Sequence, residues 1–328
     1  ESVLAVKFEE TMDFIFETYV RLIAPMQDYL KQLKPLEEAS YDIRGNKQPL
    51  KFGDLTDDSE IKAFKMTYNA DIRTKACDTL RILLPACTKT NVGLFGNGRF
   101  YQNMLARLYS HGLSEMHDLG SKAHKALNSV IPVYVKRAKM DEYLVDTEQN
   151  LRSFVEAFLV QFPPSESQDV ELLDREADFS IEVLAAMLYK YSEHPMSQLR
   201  EIILDSSPDF RNKLFELYIG RRKNRRDRPG RALEWGYPIA FDCVADFGIY
   251  RDLHRERMKT QIRQFLTTRL GYVIPDEFEA IKAADSLIQC YERSADLYED
   301  IRKKIGREVA QYVVLFGHKI RWSQGENL

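Results

Sequence analysis

Cysteine is scarce, and its placement carries no chemistry. Cys77, Cys87, Cys243 and Cys290 form neither a CxxC pair nor a metal-ligand spacing. They read as reduced thiols, mostly in cores, as expected of a cytoplasmic protein. Charge of one sign is lacking too. The net charge is −3, so any nucleic-acid role would need a local patch rather than a field over the whole chain. No apolar run approaches the ~18 residues of a membrane span, and no basic-then-apolar leader of the secretory type is present. HExxH, Walker and GxGxxG motifs are absent, and no Ser-His-Asp or Cys-His arrangement stands out.

What remains is ordinary globular composition, 44% apolar and 30% charged over 328 residues, enough for one large domain or two. The chain begins at Glu1 inside a helical pattern and stops at Asn327-Leu328 without a capping signal, so it reads as part of a longer protein. Leu4, Phe8, Met12, Ile15, Tyr19, Leu22 and Met26 mark one face of a first helix, which Pro25 is expected to kink or end. Residues 34–56 read as an irregular connection. Asp57, Asp58 and Ser59 offer caps for a helix to about Leu84, before Pro85. A Gly/Asn/Thr-rich loop covers 86–98, and helices follow at about 99–110 and 113–128.

Residues 161–167, Gln-Phe-Pro-Pro-Ser-Glu-Ser, form the best linker candidate. Beyond it, helices are expected at about 177–192, 196–204 and 208–219, the last ended by Gly220. Tyr237, Ile239, Phe241, Cys243 and Ala245 alternate as in a strand. Residues 248–268 look helical, and a long helix covers about 276–304. Val309–Leu315 is too apolar to assign between helix and strand.

Several clusters have both a plain and a functional reading. The basic run Arg221-Arg222-Lys223-Asn224-Arg225-Arg226-Asp227-Arg228 is a solvated loop or a phosphate-binding patch, since guanidinium grips phosphate bidentately. The aromatic interleaving that single-stranded nucleic acid favours is missing. His111, His117 and His124 lack a metal-site spacing. Arg251 and Arg255 would share a helix face, as a salt-bridged surface or as a pair of anion ligands.

The order of short motifs adds a resemblance. Leu80-Arg81-Ile82-Leu83-Leu84-Pro85, then Asn97-Gly98-Arg99, then Arg107, Ser110-His111 and Glu115, resembles the C-terminal half of flavin-dependent thymidylate synthases, with their "AR-x-x-LP…N-x-R…L-R-x-x-x-H" series. Pro229-Gly230-Arg231-Ala232-Leu233-Glu234-Trp235 is similar to that family's "GH-x-S-x-x-EH" turn. Arg251-Asp252 resembles its "RQ" pair and Arg255-Glu256-Arg257 its "RHR" signature. Ala310–Asn327 can be laid on Leu80–Asn97 without a gap, which suggests a duplication. Residues 1–160 would then be the C-terminal part of a first copy, and 161–328 a second copy truncated at its C-terminal end.

The resemblance implies an α/β (α+β) fold, predominantly helical, with a small, mainly antiparallel sheet in each half. It also implies a methyltransferase and flavoprotein that converts dUMP to dTMP with methylenetetrahydrofolate, FAD and NADPH. The family's sites lie between chains of a tetramer, so a homo-oligomer or a pseudo-symmetric assembly of the two copies is expected, with no membrane or nucleic-acid partner. By match, Arg81, Arg107 and Arg251 would bind the nucleotide substrate. Asn97, Arg99, His111, Glu234, Arg255 and Arg257 would bind the cofactor. Three departures stand against full activity: Glu256 replaces the signature His, Phe265 a signature Ser, and Asp252 the Gln of the RQ pair. Copy one's own signature region would lie upstream of Glu1. The alternatives are an inactive flavin- or nucleotide-binding or assembly homologue, and a nucleic-acid-binding protein using Arg221–Arg231.

Overall fold

The computed structural model describes residues 3–173, 179–223, 227, 229–235, 239–256 and 259–326. It begins with α1 (Val3–Leu33), whose apolar stripe buries Met12, Ile15, Leu22, Met26 and Leu30. Pro25 does not end this helix, contrary to expectation. It lies on the exposed side, where the carbonyl it leaves without a donor meets water. The connection to the next helix holds a two-residue antiparallel hairpin, β1 (Ser40–Tyr41) and β2 (Leu50–Lys51). Asp57 then caps α2 (Asp58–Leu80) by accepting from the amides of Ser59 and Glu60. A 3-10 turn, Arg81–Leu83, finishes it.

Three shorter helices, α3 (Gly98–Tyr109), α4 (Ser114–Asn128) and α5 (Pro132–Val135), enclose a small core of Leu105, Val135 and Ala138. Next come α6 (Glu142–Leu159), the strand β3 (Val170–Leu173), α7 (Phe179–Tyr189), α8 (Met196–Asp205) and α9 (Pro208–Ile219). Gly220 closes α9 with φ of 62°, a conformation in which a Cβ would be strained. Strand β4 (Ile239–Asp246) runs into α10 (Phe247–Leu253), then β5 (Thr260–Arg263), α11 (Asp276–Ala280), α12 (Ala284–Lys304), α13 (Arg307–Ala310), a 3-10 turn at Gln311–Val313, and β6 (Lys319–Glu326).

The expected helix over 248–268 is therefore α10 followed by a strand. Thr260 and Ile262 are buried while Gln261 and Arg263 are partly exposed, and the segment pairs with β6 in register Ile262↔Ser323. A distant partner strand decides this, and local periodicity cannot show it. The long helix expected at 276–304 is interrupted at Lys282, which has positive φ.

Strand order is β3-β4-β6-β5, antiparallel throughout. The sheet lies between two helical layers. Phe241, Cys243, Ala245, Ile320 and Trp322 face a core built from α1, α2 and α12. Leu173, Ala240 and Ile262 face a core with α6, α7, α8 and α9. Both faces of β4 are thus covered, which explains why its even-numbered residues are buried too. The larger core draws on residues either side of the 160/161 boundary, and α6 packs with the helices beyond it.

Where the two stretches that align in sequence meet, their hydrogen bonds come in reciprocal pairs. Ala86 N donates to Val314 O at 2.9 Å and Phe316 N to Leu84 O at 3.0 Å. Cys87 N donates to Tyr312 O at 3.0 Å and Gly317 N to Ile82 O at 2.9 Å. Under the gapless alignment, Leu84, Ala86, Ile82 and Cys87 fall on Val314, Phe316, Tyr312 and Gly317, so each bond is its partner's mirror. Pro85 and Leu315, also aligned, form the antiparallel bridge at the centre. Flanking elements repeat the pattern: α1 packs on α2 and on the first 3-10 turn, α12 packs on α13 and on the second, and α1 packs on α12. This local two-fold seam positions the candidate site.

Candidate functional site

Arg81 is the first residue of the 3-10 turn after α2, at the edge of the seam. Its Nη2 donates to Asp252 Oδ2 at 3.0 Å, joining segments 171 residues apart in sequence. Asp78, one turn back on α2, lies 3.9 Å from Nη1. Asp252 also meets Arg255, whose Nη2 is 3.7 Å from Oδ1. Arg251 lays its guanidinium 4.6 Å from the ring centre of Phe316, itself part of the seam. Arg81, Arg251 and Arg255 therefore gather around the C-terminal end of α10, with Asp252 as the carboxylate shared between two of them. Arg255 lies just past that helix, so it and Arg251 are not an i,i+4 helical pair.

The inner side of α10 borders a cavity of about 410 Å³. Tyr250 of α10, Arg263 of β5, Glu148 of α6, Lys190 and Tyr191 after α7, and the turn Pro229–Ala232 contribute to its wall. Burial pushes the Arg263 guanidinium below its usual pKa, partly offset by Tyr250. Glu148 accepts from Lys190 at 2.6 Å and from Tyr191 at 2.6 Å. Desolvation opposes its ionisation, yet Lys190, Tyr191 and Arg152 outweigh that and hold the carboxyl below its usual range. Polar groups on a largely apolar wall are typical of a small-molecule pocket.

The other candidates are distributed differently. Asn97 caps α3 by accepting from Phe100 N at 2.9 Å, and Arg99 and Arg107 project from α3 into solvent. His111 Nδ1 accepts from Leu113 N at 3.1 Å and lies 3.8 Å from Glu308. Glu234 is exposed and pairs with Arg231 at 3.1 Å. Arg257 lies outside the described residues. Arg81, Arg251 and Arg255 are thus brought together, while His111 contacts α13 and Glu234 pairs within its own turn.

Sequence inspection missed the position that mirrors Arg81 across the seam. Gln311 stands there, and its Oε1 accepts from Leu266 N at 3.0 Å. Glu308, the counterpart of Asp78, accepts from Arg152 Nη1 at 3.0 Å. Phe265 sits between two guanidiniums, 5.3 Å from Arg152 and 5.8 Å from Arg307. Arg307 in turn bonds Glu193 at 3.1 Å. Where one side of the seam gathers cations beside open solvent, the other neutralises them internally. The signal for this was available in sequence as the Glu-x-x-Gln of 308–311 against the Asp-x-x-Arg of 78–81.

A larger groove, about 1310 Å³, runs between the α3–α5 unit and α6 and α9. Arg137, Lys139, Lys213, Arg221 and Lys223 line it, but so do Asp141, Glu142, Asp146, Glu216 and Asp227. Arg222 donates to Asp227 O at 2.8 Å and Lys223 N to its carboxylate at 2.6 Å, folding the basic run back on itself. Mixed signs make a weak field for a polyanion. Arg225, Arg226 and Arg228 lie outside the described residues. Among the described residues no cluster of His, Cys, Asp and Glu could hold a metal ion, and no helix is long and apolar enough to cross a membrane.

No family model matches the sequence, and no solved structure matches it. Among curated proteins, a UPF0159 protein of Chlamydia muridarum is 34% identical over 323 residues, covering 96% of this chain and 56% of the relative. A UPF0159 protein of Chlamydia pneumoniae is 33% identical over 323 residues with the same coverage. One from Thermoplasma acidophilum is 24% identical over 322 residues, covering 95% of this chain and 62% of the relative. The chain therefore spans little more than half the length of the curated relatives it matches.

Proposed function

We propose that this chain belongs to a diverged, duplicated flavin-dependent thymidylate synthase-like protein, and that Arg81, Arg251 and Arg255 hold the phosphate of dUMP or a related nucleotide. The observation that carries the reading is the contact of Arg81 with Asp252. It joins the arginine of the "AR-x-x-LP" match to the pair that resembles "RQ", as the family resemblance requires. Three guanidiniums against two exposed carboxylates, Asp252 and the more distant Asp78, suit a phosphate, which each can grip with two donors. The neighbouring cavity, walled partly by the "GH-x-S-x-x-EH"-like turn, suits an aromatic ring system. FAD, when bound, would supply the hydride chemistry of the methylation of dUMP with methylenetetrahydrofolate and NADPH. The chain's own residues bind the phosphate, orient the ring and exclude water.

A second reading applies to the mirrored position. Gln311 and Phe265 replace groups that would touch ligand, and internal ion pairs satisfy the remaining charges. That half is a structural, catalytically silent copy. A flavin absorbance spectrum of the protein from its whole reading frame tests the cofactor, and NADPH oxidation stimulated by dUMP tests turnover. A colourless protein whose dUMP affinity is unchanged by Arg81→Gln would remove both.

A further inference from the structure

Strand β6 is an inner strand of the sheet, with β4 on one side and β5 on the other. It begins directly after the second seam turn. The same alignment that relates the two turns continues without a gap and places residues 89–96 opposite Lys319–Glu326. Ile320 and Trp322 are at most 1% exposed, and their counterparts are Thr90 and Val92. Residues 89–96 nonetheless belong to no strand. Val92 is 71% exposed, Leu94 55% and Phe95 fully. Among the described residues, the backbone bond to this stretch is from Tyr101 Oη to Leu94 O at 2.9 Å.

A stretch whose counterpart is a buried inner strand, and whose own Val92, Leu94 and Phe95 stand exposed, is a strand awaiting partners. The second half shows which partners these are. Its β4 and β5 precede α12, and α12 is the counterpart of α1 across the seam, so the matching strands of the first half would precede α1. The curated relatives extend well beyond the matched region, so their length leaves room for such strands. We infer that residues 89–96 form the central strand of a second antiparallel sheet, completed by two strands of the same polypeptide upstream of Glu1. Val92 and Leu94 would face the α1–α2 side, as Trp322 faces the large core. Neither flavin nor nucleotide enters this inference, so it stands or falls separately from the proposed activity.

The test uses the protein made from its whole reading frame. Hydrogen exchange read by mass spectrometry should show amides 89–96 protected at least 100-fold over the free-chain rate, the level expected of the sheet-paired amides 319–326. Free-chain exchange at 89–96 beside protected 319–326 would overturn the inference. A benzoylphenylalanine at Phe95, on the opposite side of the strand from Val92 and Leu94, then identifies the neighbour: an intramolecular cross-link to residues upstream of Glu1 is expected. A cross-link to residues within 1–328, or one made between two chains and lost on dilution, assigns the face elsewhere and overturns it. Because Phe95 is fully exposed and already aromatic, a photo-probe there leaves the folded core intact.

Discussion

Asp252 is where the proposed site is most open to perturbation. Its carboxylate lies 3.0 Å from Arg81 and 3.7 Å from Arg255, so it partly cancels the charge that would attract a phosphate. Asp252→Asn keeps an oxygen that can accept from Arg81 and deletes the negative charge. The size of the effect follows from screening. Asp252 is 51% and Arg81 37% exposed in their side chains, so the effective dielectric is close to that of water. Two unit charges about 6 Å apart repel by about 0.7 kcal/mol at a dielectric of 80 and about 1.4 kcal/mol at 40. Asp252→Asn should therefore tighten dUMP binding by about 3- to 10-fold at low ionic strength, and by less as salt is added.

Calorimetric titration of dUMP into wild type and variant, at low and physiological salt, reads this directly. Arg81→Gln, which installs the residue found at the mirrored position, should weaken binding. In the double variant, part of the benefit of Asp252→Asn should vanish, because the two side chains touch. Weaker or unchanged affinity in Asp252→Asn would show that the carboxylate holds the arginines in place rather than opposing the ligand, and that the phosphate site is misassigned.

Other consequences are as direct. Burial holds the His318 imidazole down to about 3, against an ordinary value near 6.5, so from pH 6.5 downward the unfolded chain takes up a proton that the folded chain refuses. Stability should fall by about 1.4 kcal/mol per pH unit from this group, and urea titrations of His318→Asn should show a slope shallower by about that amount between pH 6 and 4.5. Glu308→Ala removes the closer of the two carboxylates that pair with the partly buried Arg152, leaving Glu148 at 3.6 Å, and should cost about 1–3 kcal/mol in denaturant unfolding. Arg99→Ala should weaken flavin binding by about 1.5–3 kcal/mol if its guanidinium bonds a flavin phosphate, and unchanged flavin affinity would remove it from the site. The 328-residue chain supplied with FAD, NADPH and methylenetetrahydrofolate should release negligible tritium from 5-labelled dUMP. Turnover within tenfold of a typical ~10 s⁻¹ would show that Glu256 and Phe265 are tolerated.

Elements whose ends are set by local chemistry were legible in the sequence. Asp57 caps its helix with its own side chain, and Gly220 ends one by its conformation. Pro85 marks the stop after α2. The failures share a cause in distant contacts. Thr260–Arg263 is a strand because β6, some sixty residues later, pairs with it, and Pro25 passes through a helix because its side faces water. The arginines of the candidate site could be named from sequence, but their grouping could not. Arg81 reaches Asp252 because the seam brings two remote segments into register, and no spacing along the chain encodes that approach.

The two sides of the seam also constrain each other. Reciprocal backbone bonds fix the 3-10 turns at 81–83 and 311–313 in matching positions, so Arg81 and Gln311 start from equivalent places. On one side, Asp78 stands 3.9 Å from Arg81 in a half-exposed setting, where an ion pair contributes little to stability. On the other, Glu308 engages Arg152, His111 lies near it, and Phe265 is wedged between two guanidiniums. A buried charge network is stable only when each member is paired. A ligand phosphate entering there would have to displace Glu308 from Arg152 and leave that carboxylate partly buried without its cation. At Arg81 a phosphate needs only to compete with water and two exposed aspartates, Asp78 and Asp252. The same turn therefore supports a binding site at one position and a structural brace at the other, and on the proposed reading the duplicated protein keeps its ligand chemistry on the Arg81 side.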